Sequence, residues 1–162
     1  MGAGIAAQLA SCGFDVCLVD IVPKEPGDPN RLAKAGIAGA LKAKPAAFYD
    51  NRAAARIRAA HYDDEGACLA GADWIIEVVA EDLRIKGKVF DYVVEHAPAE
   101  AIVSSNTSGI PLAALCEGRD ESFKNRFLIT HFFNPVRYLR LVEVVAGDCS
   151  AEHLATIRQV LE

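Results

Sequence analysis

Short apolar runs alternate with helix-like stretches along this chain, and this alternation constrains the fold more than any other feature. The clearest runs are 16–19, which ends at Asp20, and 74–79, which follows turn-like residues at 71–73. Further strands are predicted at 101–103, 127–130 and 141–145. A strand that is apolar at nearly every position is typical of a parallel sheet covered on both faces. The alternation therefore predicts a doubly wound α/β fold, with a mostly parallel sheet and helices on both faces.

The segments between these runs have helical spacing or helix-favouring composition. Helices are predicted at 3–11, 31–43, 83–95, 111–116 and 151–161, and residues 51–60 are expected to form a short helix that runs into a strand near 57–61. In the 83–95 helix, Ile85, Val89 and Val93 share one face. This spacing places Lys86 and Lys88 on the outer, solvent-facing side.

Length and charge exclude several classes of protein. A chain of 162 residues fits one domain. A net charge of -5 without a basic run argues against a nucleic-acid surface. No apolar run reaches the roughly 18 residues of a membrane span, and the N-terminus lacks the basic flank of a signal peptide. The five scattered cysteines contain no C-x-x-C pair, so we expect reduced thiols, no metal site and a soluble, cytoplasmic protein.

The N-terminus is a candidate nucleotide-binding turn. The chain enters its first helix at Gly2 and reaches Asp20 at the end of the next strand. In a dinucleotide fold, the third glycine of G-x-G-x-x-G opens such a helix, whose N–H groups meet a pyrophosphate. An acidic residue about 20 positions later bonds the adenosine ribose and favours NAD over NADP. Gly2 and Asp20 fit these two positions, although a helix–strand–Asp pattern without a binding role has the same appearance.

Polar residues follow the strand at 101–103. The sequence Ser-Ser-Asn-Thr-Ser-Gly occupies 104–109, and the carboxyl ends of parallel strands are where α/β sheets bind ligands. Ser, Asn and Thr also favour turns and helix caps, and a helix is predicted directly afterwards. The pattern alone leaves a binding loop and a capping turn as equal alternatives.

A histidine and a carboxylate lie near the ends of two neighbouring strands. His131 and Asn134 belong to the sequence H-F-F-N-P, and Glu143 lies between apolar residues of the next strand. A carboxylate that orients an imidazole and raises its basicity makes a general base. The alternative is a histidine satisfied by backbone and a solvent-facing glutamate. A carboxylate on a buried strand would, however, need a partner.

A further charged group surrounds the end of the strand at 74–79. It consists of Glu77, Glu81 and Lys86. The simplest interpretation of Lys86 is a lysine on the solvated face of the following helix.

Together these blocks resemble the NAD-binding domain of the 3-hydroxyacyl-CoA dehydrogenase family. H-F-F-N-P-x-x-x-x-x-L-V-E-V-V is matched at 131–145, D-W-I-I-E-V-V-A-E-D-L-R-I-K at 73–86 and S-N-T-S at 105–108. The opening M-G-A-G-I-A-A-Q-L-A is similar to the continuation of that family's glycine turn. The resemblance covers nearly the whole chain, in the family's order, and implies a Rossmann-type fold.

The resemblance also implies roles for individual residues. The catalytic residues are His131 as the base that takes the 3-hydroxyl proton, Glu143 as its paired carboxylate, Ser108 as the donor to the substrate oxygen, and Asn134 beside them. The NAD-binding residues are Gly2, Asp20, Glu81, Lys86, Asn106, Ser108 and Asn134. The implied reaction is oxidation of (3S)-3-hydroxyacyl-CoA to 3-oxoacyl-CoA in fatty-acid β-oxidation.

The resemblance carries expectations about organisation too. Residues 1–162 would be a single NAD-binding domain without its first, mid-sheet strand, which leaves a gap in the sheet, and without the all-helical C-terminal domain. The chain alone would then be weak or inactive. The segment 21–63 resembles long bacterial members, in which this unit is fused to an enoyl-CoA hydratase module, and the whole protein would otherwise be a homo-oligomer. Another Rossmann-type β-hydroxyacid dehydrogenase and a non-catalytic NAD-binding fragment remain as alternatives.

Overall fold

The computed structural model describes residues 1–64 and 66–162. These residues divide into two compact units. The first unit comprises Met1–Cys68 and Phe133–Arg140, and the second comprises Leu69–Phe132 and Leu141–Glu162.

The first unit contains a two-stranded parallel sheet and its helices. Its elements are α1 (Gly2–Ser11), β1 (Val16–Asp20), α2 (Arg31–Lys42), a 3-10 helix (Asn51–Arg56) and β2 (Ile57–His61). Val16 lies opposite Ile57, and Asp20 opposite His61. Asp20 thus stands at the carboxyl end of β1.

Small side chains let α1 pack closely in this unit. Ala6, Ala7 and Ala10 are buried together with Phe48 and Ile57. An alanine carries no side-chain entropy to lose, so a helix face made of alanines packs at little cost. Alanines therefore make up most of the buried face of α1.

Arg137 holds the segment that follows α2. Its guanidinium donates to the carbonyl oxygens of Ala46 at 3.2 Å and Phe48 at 2.6 Å. It also lies over the ring of Tyr49, 4.5 Å from the centroid. These contacts satisfy carbonyls in a segment with no regular structure of its own.

The second unit contains a four-stranded sheet in the order β3-β4-β5-β6. Its elements are β3 (Trp74–Glu77), α3 (Leu83–His96), β4 (Ile102–Ser105), α4 (Leu112–Leu115), α5 (Glu121–Asn125), β5 (Phe127–Phe132), β6 (Val142–Val145) and α6 (Ala151–Leu161). Strands β3, β4 and β5 are parallel, whereas β6 is antiparallel to β5. The carboxyl ends of β3, β4 and β5 therefore share one edge.

Two apolar clusters and one polar network stabilise this unit. Phe90, Phe123 and Phe127 form an aromatic cluster with centroids 5.0–5.6 Å apart. The second cluster contains Ile102, Leu128 and Ile157, with Trp74 against it. Inside the sheet, the Ser104 hydroxyl accepts hydrogen bonds from Trp74 at 2.9 Å and Thr130 at 2.8 Å. Each of these inward polar groups therefore has a partner.

The structure confirms the helices and strands predicted from the sequence to within a few residues at their ends. Helix α5 was missed because its five residues are too few for helical spacing to show, although Asp120 caps it by accepting from the Phe123 amide at 2.8 Å. The strand at 16–19 was expected to be buried on both faces, but its residues are only half-buried. Within the described residues the strands form two separate hydrogen-bonded sheets.

Within the described residues, none of the cysteines forms a disulfide. In the described part of the chain, no helix combines the length and the apolar composition needed to cross a membrane.

Truncating the aromatic cluster tests the core of the second unit. We expect Phe123→Ala to lower the free energy of unfolding by about 3–5 kcal/mol, because it leaves a cavity between two buried rings. Phe14→Ala is the matched control, since Phe14 is exposed. Urea denaturation followed by far-UV circular dichroism measures both changes; equal losses in the two variants would contradict this description of the core.

Candidate active site

The shared edge of β3, β4 and β5 carries polar groups at each strand end. Glu77 is the last residue of β3, Ser105 is the last of β4, and His131 is the penultimate residue of β5. The parallel register pairs Glu77 with Ser105 and Ser105 with Ile129. This arrangement is the usual location of a ligand site in an α/β sheet.

His131 and Glu143 form a cross-strand pair. They lie directly opposite each other in the antiparallel β5–β6 ladder, so both side chains project from one face. The distance from Nδ1 of His131 to Oε2 of Glu143 is 2.8 Å. Because an ionised carboxylate only accepts hydrogen bonds, it stabilises the tautomer with the proton on Nδ1. In this tautomer the lone pair lies on Nε2.

The surroundings of this pair differ from the expectation for Glu143. The Glu143 side chain is 58% exposed, whereas that of His131 is 18% exposed. The buried strand predicted around Glu143 is wrong, because β6 alternates half-buried and exposed residues. The carboxylate therefore orients the imidazole from the solvent side and is screened by water.

Asn106 connects the ends of three strands. Its backbone N–H donates to the Glu77 carbonyl at 2.8 Å, and its side-chain Oδ1 accepts from the Phe132 amide at 2.8 Å. These bonds orient the side chain, and they leave its NH₂ group as the donor for a ligand. Asn106 therefore has a structural role and can have a binding role as well.

The loop after Asn106 combines a turn with an exposed hydroxyl. The buried Thr107 hydroxyl donates to the Glu81 carboxylate and accepts from the Ile110 amide at 3.1 Å. Ser108 is exposed. The structure shows the turn at Thr107, whereas a binding role of the exposed Ser108 stays a prediction.

Lys86 is buried, contrary to the prediction that it faces solvent. Its side chain is 1% exposed, and Nζ lies 2.9 Å from both carboxylate oxygens of Glu77 and 3.2 Å from Oε2 of Glu81. The buried residues of α3 are Lys86, Phe90 and Val93. The first two lie one position after the predicted Ile85 and Val89, whereas Val93 belongs to the predicted face. Lys88 is exposed, as predicted.

Glu81 is held in its charged form. Burial by itself raises the pKa of Glu81, but hydrogen bonds from Thr107, Lys86 and the Gly109 amide, together with the charge of Lys86, lower the pKa below its ordinary value. A carboxylate at this position is therefore a permanent acceptor at neutral pH.

The first unit carries Gly2, Asp20 and Asn134. Gly2 is the first residue of α1, which begins without a side-chain cap. Asp20 is exposed at the end of β1, and its Oδ1 accepts from the Ile21 amide at 2.8 Å. Asn134 is exposed after β5.

The structure adds two residues to the predicted set. The sequence pointed to Glu77 without giving it a role, although a carboxylate inside the apolar run at 74–79 was the signal. Thr107 was not singled out within the 104–109 sequence. Among residues 1–64 and 66–162, no group of three or more His, Cys, Asp or Glu side chains is placed to hold a metal ion.

Parallel strands, an acidic residue after β1 and a histidine–carboxylate pair at the strand ends are the features of a dinucleotide-binding domain of a dehydrogenase. The family model for "3-hydroxyacyl-CoA dehydrogenase, NAD binding domain" matches residues 1–162. The chain belongs to this family.

Individual relatives agree with the family assignment. The chain is 48% identical over 148 residues to a probable 3-hydroxyacyl-CoA dehydrogenase of Deinococcus radiodurans, covering 91% of this chain and 43% of the relative. It is 43% identical to one of Bacillus subtilis, covering 90% and 20%. The crystal structure of Escherichia coli 3-hydroxybutyryl-CoA dehydrogenase superimposes with a TM-score of 0.80 at 29% identity, covering 99% of this chain and 34% of that one. The chain thus spans less than half the length of these proteins.

The lowered pKa of Glu81 predicts a pH-dependent contribution to stability. A carboxylate with a depressed folded-state pKa stabilises the fold at neutral pH, and this contribution disappears as the pH falls below about 4.5 and through the folded-state pKa. We therefore expect Glu81→Gln to lower the thermal midpoint more at pH 7 than at pH 3. Glu152→Gln, at an exposed helical position, is the control. An equal deficit of Glu81→Gln at both pH values would contradict this assignment.

Proposed function

We propose that this chain is the NAD-binding and proton-transferring part of an enzyme that oxidises (3S)-3-hydroxyacyl-CoA to 3-oxoacyl-CoA. The observation that carries the proposal is the 2.8 Å pair between His131 Nδ1 and Glu143 Oε2 at the end of β5. Alcohol oxidation by hydride transfer needs a base for the hydroxyl proton, and an imidazole oriented by a carboxylate is suited to that task.

The proposed roles of the catalytic residues combine the geometry of the His131–Glu143 pair with the family resemblance. Nε2 of His131 takes the proton of the 3-hydroxyl group, and the negative charge of Glu143 stabilises the imidazolium that results. The exposed Ser108 donates a hydrogen bond to the substrate oxygen, and Asn134 belongs to the same catalytic set. Bound NAD supplies the hydride acceptor.

The cofactor residues have chemistry that suits NAD. In the first unit, the uncapped N-terminus of α1 at Gly2 offers backbone donors for a pyrophosphate, and the Asp20 carboxylate is an acceptor for ribose hydroxyls. In the second unit, Glu81 and Lys86 offer a charged pair, while Asn106 offers an oriented amide. Ser108 and Asn134 complete the proposed set.

The substrate class and the partners are proposals of the same kind. The proposal includes an acyl-CoA substrate, a role in fatty-acid β-oxidation and a cytoplasmic location. The resemblance of 21–63 to long bacterial members supports fusion to an enoyl-CoA hydratase module, and a homo-oligomer is the other arrangement that the family resemblance implies.

A chimera tests the catalytic role of His131. In it, this chain replaces the matching segment of the Deinococcus radiodurans relative. We expect His131→Gln to lower kcat for acetoacetyl-CoA reduction by about 10²- to 10⁴-fold, because the general acid–base group is lost, while NADH affinity is retained.

His96→Gln in the same chimera is the control, because His96 lies at the end of α3 rather than at the strand edge. Steady-state kinetics with native circular dichroism decides the result. A His131→Gln chimera that turns over like the His96→Gln chimera would rule out His131 as the base.

A further inference from the structure

Glu77 is a buried carboxylate whose hydrogen bonds all go to the protein. Its side chain has no exposed surface. Oε1 accepts from the Val79 amide at 2.6 Å and from Lys86 Nζ at 2.9 Å, and Oε2 accepts from Lys86 Nζ at 2.9 Å and from the Ser105 hydroxyl at 2.5 Å. A carboxylate occupied in this way does not touch a ligand, so any effect on the site passes through its partners.

Burial of this ion pair is not explained by stability alone. Removing two charges from water costs several kcal/mol per ion, and apolar residues of similar size often replace such a pair without loss. Breaking the pair by removing one partner is costly, because the other charge stays buried. The pair is therefore better explained by the geometry that it imposes.

Three connections run from Glu77 to the segment 105–109, two through side chains and one through its backbone carbonyl. The Glu77 carboxylate holds the Ser105 hydroxyl, and the Glu77 carbonyl accepts from the Asn106 amide at 2.8 Å. The third connection runs through Lys86 to Glu81, whose Oε1 accepts from the Thr107 hydroxyl and, at 3.3 Å, from the Gly109 amide.

We propose that Glu77 is a positioning residue for cofactor binding. It holds Asn106, Ser108 and Glu81 in the arrangement that receives NAD, and it acts through Ser105 and Lys86 without touching the cofactor. This inference rests on the proposed function and deepens it, since it names the group that organises the same site before the cofactor arrives.

The test uses the chimera with the Deinococcus radiodurans relative and compares the unmodified chain of this chimera with three variants. Glu77→Gln keeps the size of the side chain and removes its charge. Ser105→Ala removes one hydrogen bond and leaves the ion pair intact. Lys88→Gln is the matched control, because it removes a lysine charge from an exposed position of the same helix. Amide hydrogen exchange at Asn106 and Gly109 reports the order of the segment, and NADH fluorescence titration gives the Kd.

For Glu77→Gln we expect the exchange rate to rise more at Asn106 and Gly109 than at the amides of β5, relative to the unmodified chain. The Kd for NADH should rise about tenfold or more. Ser105→Ala should move both readouts in the same direction, with a Kd raised about threefold. Lys88→Gln should match the unmodified chain in both. If Glu77→Gln does not fold, the two readouts of Ser105→Ala decide.

Two results would overturn the inference. One is a folded Glu77→Gln variant with the exchange and the NADH Kd of Lys88→Gln. The other is a Glu77→Gln variant whose exchange rates rise uniformly over all amides while its Kd for NADH is unchanged. That result would indicate a purely structural role for Glu77. Failure of the unmodified chain to bind NADH contradicts the proposed function instead, and the exchange at Asn106 and Gly109 still shows whether Glu77 orders the segment.

Discussion

The arrangement of the polar strand edge in the second unit depends most on the buried ion pair between Glu77 and Lys86. A lysine with 1% exposure needs a carboxylate, and that requirement determines which face of α3 turns inward. The same face carries Phe90, which packs against Phe123 and Phe127. One charge pair therefore links the aromatic core to the polar edge of the sheet.

The residues proposed to act on substrate and cofactor include side chains that are more exposed than the residues proposed to position them. Glu77, Lys86 and Thr107 are buried, whereas Ser108 and Glu143 reach solvent. This division follows from the sheet: strand interiors are packed, and their carboxyl ends open toward ligands. The contact between His131 and Glu143 depends on cross-strand register, because the two residues lie directly opposite each other in the β5–β6 ladder.

The pattern of apolar runs was sufficient to predict the order of strands and helices, because strand ends coincide with turn residues and helix caps. The pairing of His131 with Glu143 was also predictable, since both belong to one motif across neighbouring strands. The burial of Lys86 was not. From the spacing of apolar residues alone, a lysine is predicted to face solvent. Lys86 is buried because Glu77 lies next to it in the folded structure, and the sequence does not show that proximity. The exposure of Glu143 was missed for a related reason, because an apolar run does not show that its strand lies at the edge of a sheet.

The central proposal is that the His131–Glu143 site belongs to a dehydrogenase for CoA thioesters. The most direct measurement compares 3-hydroxybutyryl-CoA with free 3-hydroxybutyrate as substrates for the chimera with the Deinococcus radiodurans relative, with NADH formation followed by absorbance. The account predicts NADH formation with the thioester and little with the free acid. Equal or faster oxidation of the free acid, or no oxidation of either by a folded chimera that binds NADH, would contradict it.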